Sequence, residues 1–263
     1  WGVGTWGRNG WGLAATTPIV TNTLRIWSHD NFGEDLLINV RNGGIYYWDK
    51  TGGFATRAVS LDSLAGSTKA PSIAKQIMVS DRDRHIIAFG CDPEANAGVQ
   101  DPLVIRFSSQ ESLTDWESTA TNTAGELRLG SGSEIVTAVE TRQQILVYTD
   151  ESLYAMQFLG PPFTFGVNLV SENITTMGPL SAVAVEDNVF WMGLKEFYVY
   201  GGTVQRLPCS VRDFVFDDFN LLQREKVVAA TNTAFSEVWW FYPSGSSDTN
   251  DRYVVYNYEQ QVW

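Results

Sequence analysis

The chain of 263 residues holds two histidines, His29 and His85. Neither has a cysteine or second histidine at metal-ligand spacing, so no zinc-type site is built around them. Cys91 and Cys209 are far apart and flank no ligand pattern; they read as two small buried thiols rather than a disulfide. Acidic residues cluster at Asp81/Asp83, at Asp217/Asp218, and at Asp248 with Asn250 and Asp251. A carboxylate pair performs acid–base chemistry when burial raises one pKa. Here each cluster sits in a turn-like stretch of Ser, Gly, Asn or Arg, where aspartate bonds local backbone. The Asp248–Asp251 run lacks the spacing and terminal glutamate of a calcium loop. No Gly-x-Ser-x-Gly elbow or Walker loop is present. The expectation is a chain without catalytic, metal or cofactor site.

The elements that would position any site are short strands. Ser181–Gly202 is the clearest example. Ala182–Val185, Val189–Met192 and Phe197–Tyr200 are β-branched, small or aromatic runs cut by Glu186-Asp-Asn188 and Gly193-Leu-Lys195. That composition predicts a meander. Similar units recur, with first strands beginning near residues 24, 73, 134, 181 and 227. In the first, Leu24–Trp27, Leu36–Val40, Ile45–Trp48 and 55–60 are expected strands, with Arg41-Asn-Gly-Gly44 as a hairpin turn. A four-stranded unit repeating every roughly 40–50 residues predicts a β-propeller. Each small sheet is apolar on both faces, and only a ring of sheets covers both. Second strands such as Val189-Phe-Trp-Met192 and Ile145-Leu-Val-Tyr148 show no alternation, which fits burial on both sides and argues against a sandwich.

The fold expectation is therefore all-β, a propeller of about five to six four-stranded blades with minor helical turns. Blades are placed near 24–72, 73–133, 134–180, 181–226 and 227–263, the last lacking a fourth strand or receiving it from elsewhere. Phe214, Phe216, Phe219 and Leu222 are expected to share a buried side in a helical stretch within 211–226. Residues 1–23 are expected to be an extended arm, rich in Trp and Gly, docked on this domain or on a neighbouring subunit, with Trp1, Trp6 and Trp11 as candidate inter-subunit contacts. The opening at Trp1 and the ending at Trp263 suggest a segment of something longer.

Charge narrows the partners. Lys and Arg total 18 against 30 Asp and Glu, a formal charge of −12. Phosphate-driven nucleic-acid binding needs the opposite balance. No apolar run approaches the roughly 20 residues that span a bilayer, and no secretory signal opens the chain.

Two resemblances follow from particular phrases. Ser109-Gln-Glu-Ser-Leu-Thr-Asp-Trp116 resembles the Asp-box of sialidase-type propellers, keeping only its Ser and Trp, here Ser109 and Trp116. The Asp-box is a turn that tucks its Trp between sheets and not a catalytic group, so it implies a propeller with Trp116 in the core and says little about sugars. Trp27-Ser-His-Asp-Asn-Phe-Gly-Glu-Asp-Leu-Leu37, Gly44-Ile-Tyr-Tyr-Trp-Asp49, Asp101-Pro-Leu-Val-Ile-Arg106, Ala120–Leu129 and Ser236-Glu-Val-Trp-Trp-Phe-Tyr-Pro243 together resemble bacteriophage virion structural proteins. Among these the chain is most similar to the propeller-type tail-nozzle, or DNA-stabilisation, proteins of short-tailed phages.

That resemblance implies a non-enzymatic subunit in a homo-oligomeric ring around the tail axis, assembled in the bacterial cytoplasm and resident in the virion. It implies portal or adaptor proteins as partners, and genomic DNA passing without recognition. The alternative expectation is a propeller at the virion tip that binds a host receptor or glycan. A DNA conduit must not hold phosphates, and acidic groups repel them. Asp92, Glu94 and Asp217 are the candidate DNA-repelling loop residues.

Overall fold

A computed structural model describes residues 24–160 and 162–263. The expected arm with Trp1, Trp6 and Trp11 lies outside the described residues. The chain forms five antiparallel meanders, each a sheet whose strand order follows the sequence. Blade 1 comprises β1 (Trp27–Phe32), β2 (Asp35–Val40), β3 (Ile45–Trp48) and β4 (Val59–Ser60). Blade 2 holds β5 (Gln76–Val79), β6 (Ile86–Phe89), β7 (Val104–Phe107) and β8 (Gly125–Arg128). Blade 3 holds β9 (Ile135–Glu140), β10 (Ile145–Thr149), β11 (Ser152–Gly160) and β12 (Thr164–Glu172). Blade 4 holds β13 (Ala182–Val185), β14 (Asn188–Met192), β15 (Phe197–Tyr200) and β16 (Val204–Leu207). Blade 5 has three strands, β17 (Val228–Asn232), β18 (Glu237–Tyr242) and β19 (Arg252–Asn257). The fold is a five-bladed β-propeller.

Apolar side chains on the faces of the sheets hold the blades together. One buried cluster joins blades 1 and 2 through Leu37, Ile45, Ile77, Ile86 and Trp116. A second joins blades 2 and 3 through Phe89, Phe107, Val147 and Phe165. Tyr148, Leu153, Val189 and Trp191 join blades 3 and 4, and Phe190, Phe197, Val238 and Trp240 join blades 4 and 5. Phe190 and Trp191 are neighbours in sequence and therefore point to opposite faces, each into a different interface. The second strands of blades 2, 3 and 4 are accordingly buried almost throughout. Those of blades 1 and 5 alternate between buried and half-buried residues. Among the described residues no buried apolar cluster joins blade 5 to blade 1.

Two expectations are corrected. The first strand of blade 1 is not Leu24–Trp27; it begins at Trp27 and runs through His29 to Phe32. Its alternate residues Ser28 and Asp30 are polar because they bond the backbone of blade 2, so an apolar search passes over them. In the helical stretch, Phe216 and Phe219 pack on the blade 4–5 cluster, but Phe214 is 67% and Leu222 92% exposed. The helix α1 (Arg212–Asp217) ends before Asp218, so no continuous buried face links these residues.

Candidate functional site

The first strands of all five blades converge on an axial cavity of about 430 Å3. Its wall includes His29 and Asp30 from β1, Gln76 from β5, Glu140 from β9, Ala182 from β13 and Val228 from β17, with Arg41 and Lys75 nearby. Polar side chains in this wall lace adjacent blades together. Ser28 Oγ accepts the Ile77 N–H at 3.1 Å, and Asp30 Oδ2 accepts the Val79 N–H at 2.8 Å. Gln76 Nε2 donates to the Ala138 carbonyl at 2.8 Å while its Oε1 accepts the Ala138 N–H at 2.9 Å. Between blades 4 and 5 the Ala229 N–H donates to the Leu180 carbonyl at 2.7 Å. Between blades 1 and 2, 2 and 3, and 4 and 5 the inner edges are thus linked by side chains or by an isolated backbone bond, which satisfies buried groups without a continuous ladder.

The charged groups of the wall are of both signs. Lys75 is buried and its ammonium pairs with Glu134. Its stem runs over Gly90, where φ is +58° and an added Cβ would lie 2.8 Å from Lys75 Cδ; glycine is required twice over. Burial lowers the pKa of Arg41, opposed by the negative charges of Glu134 and Glu225. Glu140 accepts the Asp81 N–H at 3.0 Å. Burial pushes its pKa up to about 7; the Asp81 hydrogen bond opposes that rise, and the Asp81 and Asp30 charges add to it. Glu140 is therefore a carboxyl in the cavity wall whose pKa lies well above the usual carboxylate range.

His85 lies away from the cavity, in a cage of Phe107, Phe158 and Phe165 at centroid distances of 6.3, 6.0 and 5.2 Å. Burial pushes its pKa down, against the Ser108 bond and the Asp83 charge. The neutral ring then places its proton on Nδ1, which donates to the Ser108 carbonyl at 2.7 Å. Among the described residues no group of three His, Cys, Asp or Glu side chains is gathered as metal ligands.

The three candidate acidic residues are not brought together, and none lines the axial cavity. Asp92 is corrected outright: it is fully buried rather than presented on a loop surface. It accepts hydrogen bonds from the N–H of Ser72 (3.0 Å), Ile73 (3.2 Å) and Gly98 (2.7 Å) and from the Ser72 hydroxyl (2.9 Å). A carboxylate with so many donors pins the insertion 91–102 to the blade. Glu94 is half-buried, accepts the Ser118 N–H at 3.2 Å and lies 3.9 Å from Lys69. Asp217 is exposed at the end of α1. Sequence reasoning misses the acids of the cavity, Asp30 and Glu140. For Asp30 the cue was available, since Ser28-His-Asp30 places two small hydrogen-bonding residues at i and i+2 of one strand. For Glu140 there was none, because its environment comes from blades 1 and 2.

Trp116 is in the core as expected, its Nε1 donating to the Leu113 carbonyl at 3.0 Å within the turn. Cys91 is buried and Cys209 half-buried, and both are free. Asp251 bonds the Ser244 N–H at 2.7 Å and hydroxyl at 2.6 Å, the turn role expected of it. Outside the cavity, two aromatic surfaces stand out. Phe54 is 99% exposed and stacks on Trp48 at 5.9 Å. On blade 5, Tyr253 stacks on Trp239 at 5.0 Å, beside Phe241.

No protein family and no curated protein matches the sequence. Among solved structures the chain is similar to a fungal alcohol oxidase of the AA5 family in complex with copper. That match has 10% identity and a TM-score of 0.52, over 89% of this chain and 51% of the oxidase. It is also similar to the computationally designed Ika8 protein (12% identity, TM-score 0.47, 86% of this chain and 60% of that one). A third likeness is to BamB from Moraxella catarrhalis (11% identity, TM-score 0.40, 87% and 60%). The chain spans between about half and three-fifths of the length of these proteins. At such identities the likeness reaches the fold alone, and copper and alcohol chemistry belong to the oxidase. What the chain shares with the oxidase is the fold.

Proposed function

We propose that the chain is a non-enzymatic structural component of a bacteriophage virion, a nozzle or adaptor subunit that extends and closes the portal DNA channel. The phrases from Trp27 to Pro243 quoted above and the charge of −12 support this reading. The observation that carries it is the apolar surface left outside the blade cores. Phe54, Phe214, Leu222 and Phe235 protrude from different blades and connections. Side chains of this kind, kept in water by a lone domain, are expected where a subunit meets its neighbours. In this reading Glu94 and Asp217 contribute negative potential near the conduit, and Asp92 acts as a structural staple.

The test is co-assembly. The purified chain mixed with its portal protein should co-elute as a ring on size exclusion and appear axially in electron micrographs of the particle. A chain that stays monomeric with portal protein present, and is missing from the tail, sinks the proposal.

The Trp48–Phe54 stack favours one second reading, a glycan-binding propeller at the virion tip. An exposed aromatic pair offers a platform on which a sugar ring stacks. Glycan-array binding lost on Phe54→Ala, with ring assembly intact, would select that reading.

A further inference from the structure

The axial cavity holds a cationic group without an ion-pair partner. Arg41 is placed there by the turn that follows β2. Its N–H donates to the Ile26 carbonyl at 3.0 Å, the Gly43 N–H donates to the Val40 carbonyl at 2.7 Å, and Asn42 takes a left-handed φ of +57°. The arginine is half-buried and lines the cavity. Among the described residues it forms no salt bridge. Residues 1–23 contain no Asp or Glu that could supply one. Two carboxylates attract it from farther off without compensating it. Glu134 is paired with Lys75, and burial outweighs the pull of Glu134 and Glu225. Withdrawing a charge from water without a close counter-charge is costly, so such groups in proteins are paired or hold a ligand.

The wall of the cavity divides by chemistry. Towards blades 1 to 3 its polar side chains are already committed. Ser28, Asp30 and Gln76 bond backbone across the blade seams, and Glu140 accepts the Asp81 N–H. Towards blades 4 and 5 the lining is Pro179, Leu180, Ala182, Val228 and Ala229, with no polar side chain among them. Leu180 is 42% exposed, so this wall leaves apolar surface in water. Arg41 and Pro179 also line together a smaller cavity of about 50 Å3, which sets the arginine beside the start of the apolar wall. The axial volume of about 430 Å3 falls within the roughly 300–1,000 Å3 of small-molecule sites.

We infer that the axial cavity binds a small monocarboxylate with an apolar body, its carboxylate on the Arg41 guanidinium and its body along Leu180, Ala182 and Val228. A carboxylate matches the planar guanidinium fork with two parallel hydrogen bonds. Charge selects it over a phosphate. Lys75 is committed to Glu134, which leaves Arg41 as the uncommitted cation of the two, and Glu225 repels a dianion more than a monoanion. The aliphatic wall gives the body of the ligand a surface to cover, which a bare inorganic anion does not use. The site is independent of the virion reading, since it needs neither a second subunit nor DNA.

The test is calorimetric titration of the whole chain with octanoate and with octanol, alongside NMR of the Leu180, Ala182 and Val228 methyl groups. Octanoate should bind at least about 10-fold more tightly than octanol, as a hydrogen bond to a charged group allows, and should shift those methyl signals. Arg41→Gln should weaken octanoate binding at least about 10-fold and leave octanol unchanged. Arg224→Gln, in the wall of the smaller cavity, should alter neither. Equal affinity for the two probes overturns the inference, because the arginine then contributes nothing. Octanoate binding that survives Arg41→Gln overturns it, as does binding that shifts only methyl groups elsewhere. Absence of octanoate binding at millimolar concentration overturns it too, and displacement of octanoate by inorganic phosphate overturns the choice of a monoanion. The comparison of the two probes on the unaltered chain holds even if Arg41→Gln fails to fold.

Discussion

Gln76 pairs with Ala138 as one strand pairs with another, donating to its carbonyl at 2.8 Å and accepting its N–H at 2.9 Å. One side-chain amide thus replaces a rung of backbone ladder between blades 2 and 3. Gln76→Glu keeps the size and the acceptor but loses the donor, and places a charge beside the Ala138 carbonyl. The substitution should lower stability by about 1–3 kcal/mol, the range for an unpaired buried polar group. Urea unfolding of the two proteins measures it.

Arg106 is 2% exposed and serves three carbonyls, those of Lys69 (2.5 Å), Trp116 (3.2 Å) and Asp92 (3.4 Å). Lysine has one ammonium where arginine has a planar fork, so it cannot reach all three. Arg106→Lys should cost about 2–4 kcal/mol despite keeping the charge. A change below about 0.5 kcal/mol in the denaturation midpoint analysis would show that these bonds are dispensable.

Trp240 and Trp191 are both buried, yet only one uses its indole N–H. Trp240 Nε1 donates to the Ser181 carbonyl at 3.1 Å, whereas Trp191 Nε1 has no partner. Both lose similar volume on replacement by phenylalanine. Trp240→Phe should therefore destabilise by about 1–2 kcal/mol more than Trp191→Phe. Equal losses in parallel urea titrations would refute the hydrogen-bond argument.

Half-buried Glu140 and buried His85 are shifted in opposite directions, each by its own surroundings. The folded-state pKa of Glu140 is raised to about 7, so the native state holds a proton that the unfolded chain releases. Its contribution falls as pH rises from the ordinary carboxylate range through about 7. His85 has a lowered pKa, so the unfolded chain binds the extra proton and stability falls as pH drops below the ordinary histidine value. Glu140→Gln should remove the alkaline loss and raise stability at pH 8 by about 1 kcal/mol, after allowance for solvent screening. His85→Phe should flatten the acid side of the curve. Melting temperatures from pH 5 to 8 test both, and unchanged slopes would reject them.

The blades were legible because each is local. Val189–Met192 and Phe197–Tyr200 carry their own turn signals and apolar runs, and the structure pairs them as adjacent strands. The same local logic failed at β1, where Ser28 and Asp30 face a neighbouring blade instead of their own sheet. It failed again at Asp92, whose loop composition indicated exposure while the carboxylate is consumed by Ser72, Ile73 and Gly98. Glu140 owes its altered acidity to burial and to Asp81 and Asp30, residues on other blades. Properties created between blades have no signature within any one repeat.

The sequential strand order of every sheet has a kinetic consequence. Each blade can form from contiguous chain, and each new blade finds the previous one already waiting to cover its face. Loop closure then costs little at each step, and growth can follow synthesis from the first meander onward. The meeting of blade 5 with blade 1 is different, because it alone joins the two ends of the array. Stopped-flow folding should show rapid formation of the sheets followed by a slower phase for that final encounter, and the same junction should be the first to spring open under load.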